Sequence, residues 1–266
     1  MKLSEKEFGH YLDKFSHFGE NFAVIKVSGS LATDKDFIFA IQFLAKNNIF
    51  PIIVHGAGKA TDSLMLEKGI KLVKKNGLRQ TCVYTLECVE YAVSKINKDI
   101  VNELNKNNII SEGIAFPKTN NLEIIHELGF VAKAKNIKTD EIKRIISENK
   151  IPIIGCTIDF SGDKFNANAD NVASVIAKVM SAKKLIFISD VPGVLDLENK
   201  LISVIKKGEI PELVQTKKII GGMAVKLLEI EEILKQSSKM EIQIVSPKNL
   251  LQELFSYNGS GTIIKS

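Results

Sequence analysis

The chain has 266 residues, 45% hydrophobic and 25% charged, with 36 Lys and Arg against 31 Asp and Glu and a formal net charge of +5. That length and balance suit a soluble globular protein with one large domain or two close-packed lobes. The lysines are scattered, with no basic stripe interleaved with aromatics and no apolar run of membrane-spanning length, which argues against nucleic-acid and membrane partners and for small anionic substrates.

Residues 4–18 carry Phe8, Tyr11, Leu12, Phe15 and Phe18 at helical spacing, ahead of the first core strand, so residues 1–20 read as a helical appendage. The same stretch mixes acids and lysines without arginine and matches neither a signal nor a transit peptide, so a cytoplasmic protein is expected. A strand over 22–27 ends in the turn Ser28-Gly29-Ser30, and a helix over 35–46 follows. A strand over 51–54 ends in His55-Gly56-Ala57-Gly58 and leads to a helix over 60–68. Residues 81–105 read as a long helix, and 108–138 as short strands with a hairpin that covers a substrate. A helix over 139–147, a strand over 151–155 and a turn over 159–164 precede Asn166 and a helix running to Met180. The strand 185–188 ends in Ser189-Asp190-Val191-Pro192-Gly193. A short helix near 210–214 follows, then Gly221-Gly222 and a helix over 223–235. A strand over 242–245, a helix over 247–255, Gly259-Ser260-Gly261 and a strand over 262–264 complete the chain. Strands alternate with helices, and several strands are continuous apolar runs. This pattern predicts an α/β three-layer αβα sandwich with a mostly parallel central sheet. The softest boundary between two lobes falls near 159–164.

Ligands bind at the carboxyl ends of strands in such sheets. Lys26-Val27-Ser28-Gly29 and His55-Gly56-Ala57-Gly58 are either two tight turns or a pair of backbone cradles for an anion. Lys26 interrupts an apolar strand, so it either snorkels from an edge or meets an anionic partner. In Asn166-Ala167-Asn168-Ala169-Asp170, either an Asn or Asp caps a helix, or three extended polar side chains point one way as a ligand comb. Lys226 falls in the first turn of its expected helix, where it is either a plain exposed lysine or a phosphate contact. Only Arg79 and Arg144 are arginine. Arg79 follows the Asn76-Gly77-Leu78 turn, and is either a surface charge or a planar, two-pronged grip on a carboxylate or phosphate. Cys82, Cys88 and Cys156 are odd in number, lack metal-ligand spacing and read as buried free thiols.

Taken in order, these segments, with Gly221-Gly222-Met223-Ala224-Val225-Lys226, resemble the amino acid kinase family, and within it the acetylglutamate kinases. Details around 11–16, 22–27, 55–58 and 222–226 resemble the kinase domain of bifunctional acetylglutamate synthase/kinases, whose acetyltransferase domain would begin at about Ser266, so the chain is expected to be either a stand-alone kinase of that branch or an excised domain. The resemblance implies a carbamate kinase-like fold, with an acceptor lobe over 21–165 and a nucleotide lobe over 166–266. It implies transfer of the γ-phosphoryl group of ATP to N-acetyl-L-glutamate, with Mg2+ carried mainly by the phosphates rather than by a protein metal site. It assigns Lys26 and Lys226 to the phosphoryl oxygens and Asp170 to their orientation. Gly29, Ala57, Gly58, Arg79, Asn166 and Asn168 fall to the acceptor substrate, with Arg79 and Asn166 on its α-carboxylate. Asp190, Val191, Pro192, Gly193, Val194 and Leu195, with Ile220, Gly221 and Gly222, border the nucleotide.

Ser28 stands where these kinases usually have glycine, and Lys59 replaces a proline or small residue. Glu253 and Gly259 match an L-arginine effector site, whereas Gln243 stands where arginine-inhibited members carry histidine. A homo-oligomer is expected. The alternative is a non-catalytic arginine-sensing domain of an acetylglutamate synthase system; the presence of Lys26, Asp170 and Lys226 favours the enzyme. A carrier-linked aminoadipate kinase and a dehydrogenase are weaker readings, the latter resting on fold analogy alone.

Overall fold

The computed structural model describes residues 5–17, 19, 22–75, 77–236, 240–256 and 259–265. Ser4, Phe18 and Asn76, which enter the readings above, lie outside them. Eight strands form the main sheet: β1 (Ala23–Ser28), β2 (Ile52–Gly56), β3 (Ser111–Ile114), β4 (Ile151–Ile154), β5 (Lys184–Ile188), β6 (Val204–Lys206), β7 (Glu241–Val245) and β8 (Thr262–Lys265). Their spatial order is β6-β8-β7-β5-β1-β2-β4-β3. The strands from β7 to β3 in that order run parallel, while β8 pairs antiparallel with β7 and β6 follows β8. The mostly parallel sheet expected from the apolar runs is present.

The strands are buried on both faces because residues of alternating parity enter two separate cores. Val24, Val54, Leu185 and Phe187 face one core, filled by α5 (Asp140–Ser147), α6 (Ala169–Val179) and α8 (Gly221–Gln236). Ala23, Ile25, Ile53 and Ile186 face the other, filled by α1 (Glu5–Ser16), α2 (Lys35–Lys46) and α9 (Leu250–Phe255). Phe15 of α1 is fully buried there, 4.9 Å from the Phe22 ring and 5.4 Å from that of Phe255, so the appendage is part of this core. The long helix α4 (Val83–Lys106) gives Val93 to the first core and Ile100 to the second, with Ile96 touching both. Among the described residues two more α-helices are present, α3 (Gly58–Glu67) and α7 (Ile210–Gln215).

The apolar patterns located most elements to within two residues. They did not reveal β3 and β6 as members of the main sheet. Ser111-Glu112-Gly113-Ile114 is short and polar, and its place comes from four parallel pairings with β4. Cys88 and Cys156 are buried free thiols, but Cys82 is exposed, which corrects the expectation for it. Cys82 occupies the N-cap of α4, outside the buried stripe of that helix. Among the described residues no helix is long and apolar enough to cross a membrane.

Ile186 is fully buried on the strand beside β1. Ile186→Ala should lower unfolding stability by about 2–5 kcal/mol, measured by urea denaturation.

Candidate active site

The carboxyl ends of β1, β2 and β5 open on one cavity of about 690 Å³. Its walls bring together Lys26, Gly29, Ala57, Gly58, Arg79, Asn166, Asn168, Asp190 and Lys226, residues drawn from both halves of the chain. A second cavity, of about 770 Å³, shares Asn168 and Lys226 with it and adds Asp170 and Glu229.

Asp170 holds the centre. Its Oδ1 lies 2.8 Å from Lys26 Nζ and its Oδ2 accepts a 2.7 Å hydrogen bond from Lys226 Nζ. Burial alone would push this carboxyl up, but the charges and hydrogen bonds of the two ammonium groups outweigh it and hold Asp170 below the usual carboxylate range. Lys226 Nζ also stands 4.7 Å from the centroid of the Phe187 ring, a favourable position for a cation. Lys26 therefore has the anionic partner that its place in an apolar strand demands. The position of Lys226 differs from expectation. Its helix starts at Gly221, which has φ +66°, so Lys226 sits in the second turn, where the helix dipole matters less.

The three side chains do not form one comb. The chain is extended only up to Asn168, whose Oδ1 caps α6 by accepting from the Asp170 N–H at 2.9 Å. Asn166 instead donates to Thr81 Oγ1 at 3.1 Å, and Asp170 turns to the lysines. Helix initiation at Asn168 thus turns Asp170 to the lysines, while Asn166 and Asn168 both still line the 690 Å³ cavity.

Arg79 is buried, and its neighbours were not foreseen. Nη1 donates to Asp62 Oδ1 and lies 3.3 Å from Met65 Sδ, while Nη2 donates to the Gly58 carbonyl oxygen at 3.1 Å. Asp62 also accepts from Lys74 Nζ at 2.8 Å. Burial pushes its carboxyl up, and the Lys74 and Arg79 bonds and charges more than reverse that. The only available signal for Asp62 was an acid four residues into α3; the partner itself is 17 positions away.

The loop after β5 is tied to β8. Val194 N–H donates to Thr262 Oγ1 at 2.8 Å, and a Cβ on Gly193 would approach that oxygen to 2.6 Å. Of the residues expected to border the nucleotide, only Asp190 lines the 690 Å³ cavity. Val191, Pro192 and Leu195 are half-buried, Gly193 and Val194 are buried, and Ile220, Gly221 and Gly222, at the start of α8, are exposed. At a distance, Glu253 is buried and its Oε2 accepts from the Ser260 and Gly261 N–H groups, both at 2.7 Å. Burial pushes the Glu253 carboxyl up, against the pull of these two bonds. Gly259 fits only because it lacks a Cβ, which would stand 2.4 Å from Glu253 Oε2. Gln243 lies on β7 and donates to Glu241 Oε1 at 3.0 Å.

A parallel sheet whose strand ends carry two glycine turns, facing two lysines on a shared aspartate, defines a domain suited to holding a phosphoryl group. The family model for the amino acid kinase family matches residues 21–246, and the chain belongs to that family. An acetylglutamate kinase of Pelagibacter ubique is 37% identical over 98% of this chain and 93% of its own length. An acetylglutamate kinase of Xanthomonas campestris is 31% identical over 98% of this chain, which spans 63% of that relative. Among solved structures, an N-acetylglutamate synthase from Neisseria gonorrhoeae, complexed with coenzyme A and N-acetyl-glutamate, superposes with a TM-score of 0.83. It is 19% identical, with 98% of this chain and 62% of that one covered, a likeness of fold.

Because the folded pKa of Asp170 is depressed, its contribution to stability is fully present above the unfolded value of about 4 and is lost as pH falls through the folded value. The stability gap between wild type and Asp170→Asn should therefore be largest at neutral pH and shrink below about pH 4. Denaturant titrations at pH 7 and pH 3 check this; a gap that does not change with pH would count against the ion-pair account.

Proposed function

We propose that the protein transfers the γ-phosphoryl group of ATP to the side-chain carboxylate of N-acetyl-L-glutamate, giving ADP and N-acetyl-L-glutamyl 5-phosphate, a step of arginine biosynthesis. The observation that carries this reading is Asp170 bonded to both Lys26 and Lys226 beside two glycine turns. A carboxylate oxygen of the acceptor attacks the γ-phosphorus in line. The new O–P bond forms as the bond from phosphorus to the β–γ bridging oxygen breaks, and that oxygen leaves with ADP. No proton needs to move. The chain must bring two anions together and neutralise charge on the equatorial oxygens.

Lys26 and Lys226 approach those oxygens from β1 and α8, and Asp170 fixes their separation. Backbone N–H groups of Gly29, Ala57 and Gly58 receive the charge that develops. Arg79 and Asn166 hold the α-carboxylate. With Nη1 and Nη2 anchored on Asp62 and Gly58, the guanidinium plane is set before substrate arrives, and its Nε–H and remaining Nη2–H are donors for a carboxylate. Asn168 lines the same cavity. Asp190 to Leu195 and Ile220 to Gly222 border the nucleotide, which makes 166–266 the nucleotide lobe and 21–165 the acceptor lobe. Mg2+, when bound on the phosphates, supplies further charge neutralisation. Among the described residues no cluster of three or more Asp, Glu, His or Cys suits a metal, and the carboxylate on the cavity wall that fits a phosphate-borne ion is Asp190. Glu253 and Gly259 mark a second site for L-arginine, and a cytoplasmic homo-oligomer completes the reading.

Trapping the acyl phosphate as a hydroxamate tests the reaction. Lys226→Ala and Asp170→Ala should each lower kcat by about 10²-fold or more; full activity in both would refute the mechanism. Arg79→Lys should raise the acetylglutamate KM by about tenfold while sparing that for ATP. An unchanged acceptor KM would remove Arg79 from the substrate site.

A further inference from the structure

The two glycine turns lie against a common brace. A Cβ on Gly29 would stand 2.7 Å from the Gly56 carbonyl oxygen and 2.8 Å from Ile96 Cδ1. The turns therefore touch each other, and the Gly29 turn also rests on the middle of α4. The next residue on that helix, Asn97, reaches the residue that leads into the second turn. Its Nδ2 lies 3.1 Å from His55 Nε2 and donates to the Ile153 carbonyl oxygen at 2.9 Å. Both His55 and Asn97 are buried. A Cβ on Gly113 would fall 2.0 Å from Asn97 Oδ1, so β3 is built with room for this amide.

The Ile153 carbonyl can only accept, which fixes the amide orientation. His55 Nε2 then accepts the second amide hydrogen, and the proton of the neutral ring sits on Nδ1. Burial pushes the imidazole down to about 4, with the Gly56 backbone acting in the opposite direction. His55 is thus neutral at working pH and sealed from solvent, which excludes a role in proton transfer. Its Nδ1 is buried without a hydrogen-bond partner, next in sequence to the Gly56-Ala57-Gly58 turn. A buried donor left over at such a place calls for an explanation.

We propose that Asn97, acting through His55 held in its Nδ1–H tautomer, is a positioning residue that sets the Gly56-Ala57-Gly58 turn against the Gly29 turn for phosphoryl transfer. The proposal rests on the kinase reading above. The spare Nδ1–H favours the arrangement of the Gly56 peptide that offers it a carbonyl, and that peptide fixes where the Ala57 and Gly58 N–H groups point. Misplacing them acts on the transition state and leaves ground-state binding nearly intact.

Long-range proton–nitrogen NMR of the whole chain, with His55 assigned by its loss in His55→Asn, should show the Nδ1–H tautomer. Asn97→Asp places an acceptor against Nε2 and should switch the ring to Nε2–H. It should lower kcat about tenfold to a hundredfold, with both KM values within about twofold and the Ala57 and Gly58 amide signals displaced. A merely structural role would reduce the yield of folded protein and leave kcat per folded site unchanged. An Nε2–H tautomer in the wild type overturns the proposal, even where the variant fails to fold. So does a folded Asn97→Asp with a switched tautomer and unchanged kcat. If the wild type forms no hydroxamate from acetylglutamate, the kinase reading fails separately. The amide signals of Ala57 and Gly58 then decide, and unmoved signals in Asn97→Asp overturn the positioning role.

Discussion

The structure hangs on the Asp170 carboxylate and its two ammonium partners. A buried carboxylate alone is costly, and so is each buried lysine. Joined, they tie β1, α6 and α8 at one point, linking residues 26, 170 and 226. The sheet order contributes to this meeting. β5 pairs with β1 so that Phe187 lies beside Lys26, and the Phe187 ring also supports Lys226. The site is thus the place where the sheet's central pair of strands meets the helices that cover one face.

Close backbone approach is the second constraint. Gly29 lies against Gly56, and a Cβ on Gly155 would fall 2.1 Å from the Ala115 carbonyl oxygen. These glycines sit at or just after the ends of neighbouring parallel strands, and a side chain at either would push those ends apart. The resulting floor of backbone can face an anion at short range, which side chains of any size would prevent. Ser28 fits this arrangement because its hydroxyl lies 3.1 Å from that of Ser30, inside its own turn.

Much of this was legible in the sequence, for reasons that separate local from distant physics. Continuous apolar runs mark β1, β2 and β5 because both faces are buried, and the glycine turns mark where those strands end. Lys26 announced a partner by standing in an apolar strand. What stayed hidden depends on contacts made across the fold. Ser111-Glu112-Gly113-Ile114 becomes a strand only because β4 receives it. The amide of Asn97, on a helix whose pattern looks merely amphipathic, meets a histidine 42 residues away. Asn168 and Asp170 follow the same logic at short range. An alternating polar pattern has period two, but a cap at Asn168 ends that period and starts the helical one.

The two ends of the cavity solve one electrostatic problem in the same way. At one end Asp170 is divided between Lys26 and Lys226, and at the other Asp62 is divided between Lys74 and Arg79. Each set carries one more positive charge than negative, so each is anchored before a ligand arrives and still attracts an anion. A lone lysine pair would repel itself, and one-to-one pairs would be neutral. The difference between the ends lies in the cation. A phosphoryl group presents oxygens in several directions and suits two point charges on flexible stems. A planar carboxylate suits a planar guanidinium whose other donors are already fixed. On the proposed reading, in which Arg79 meets the acceptor carboxylate, that is a physical reason for one of only two arginines in the chain to stand at position 79.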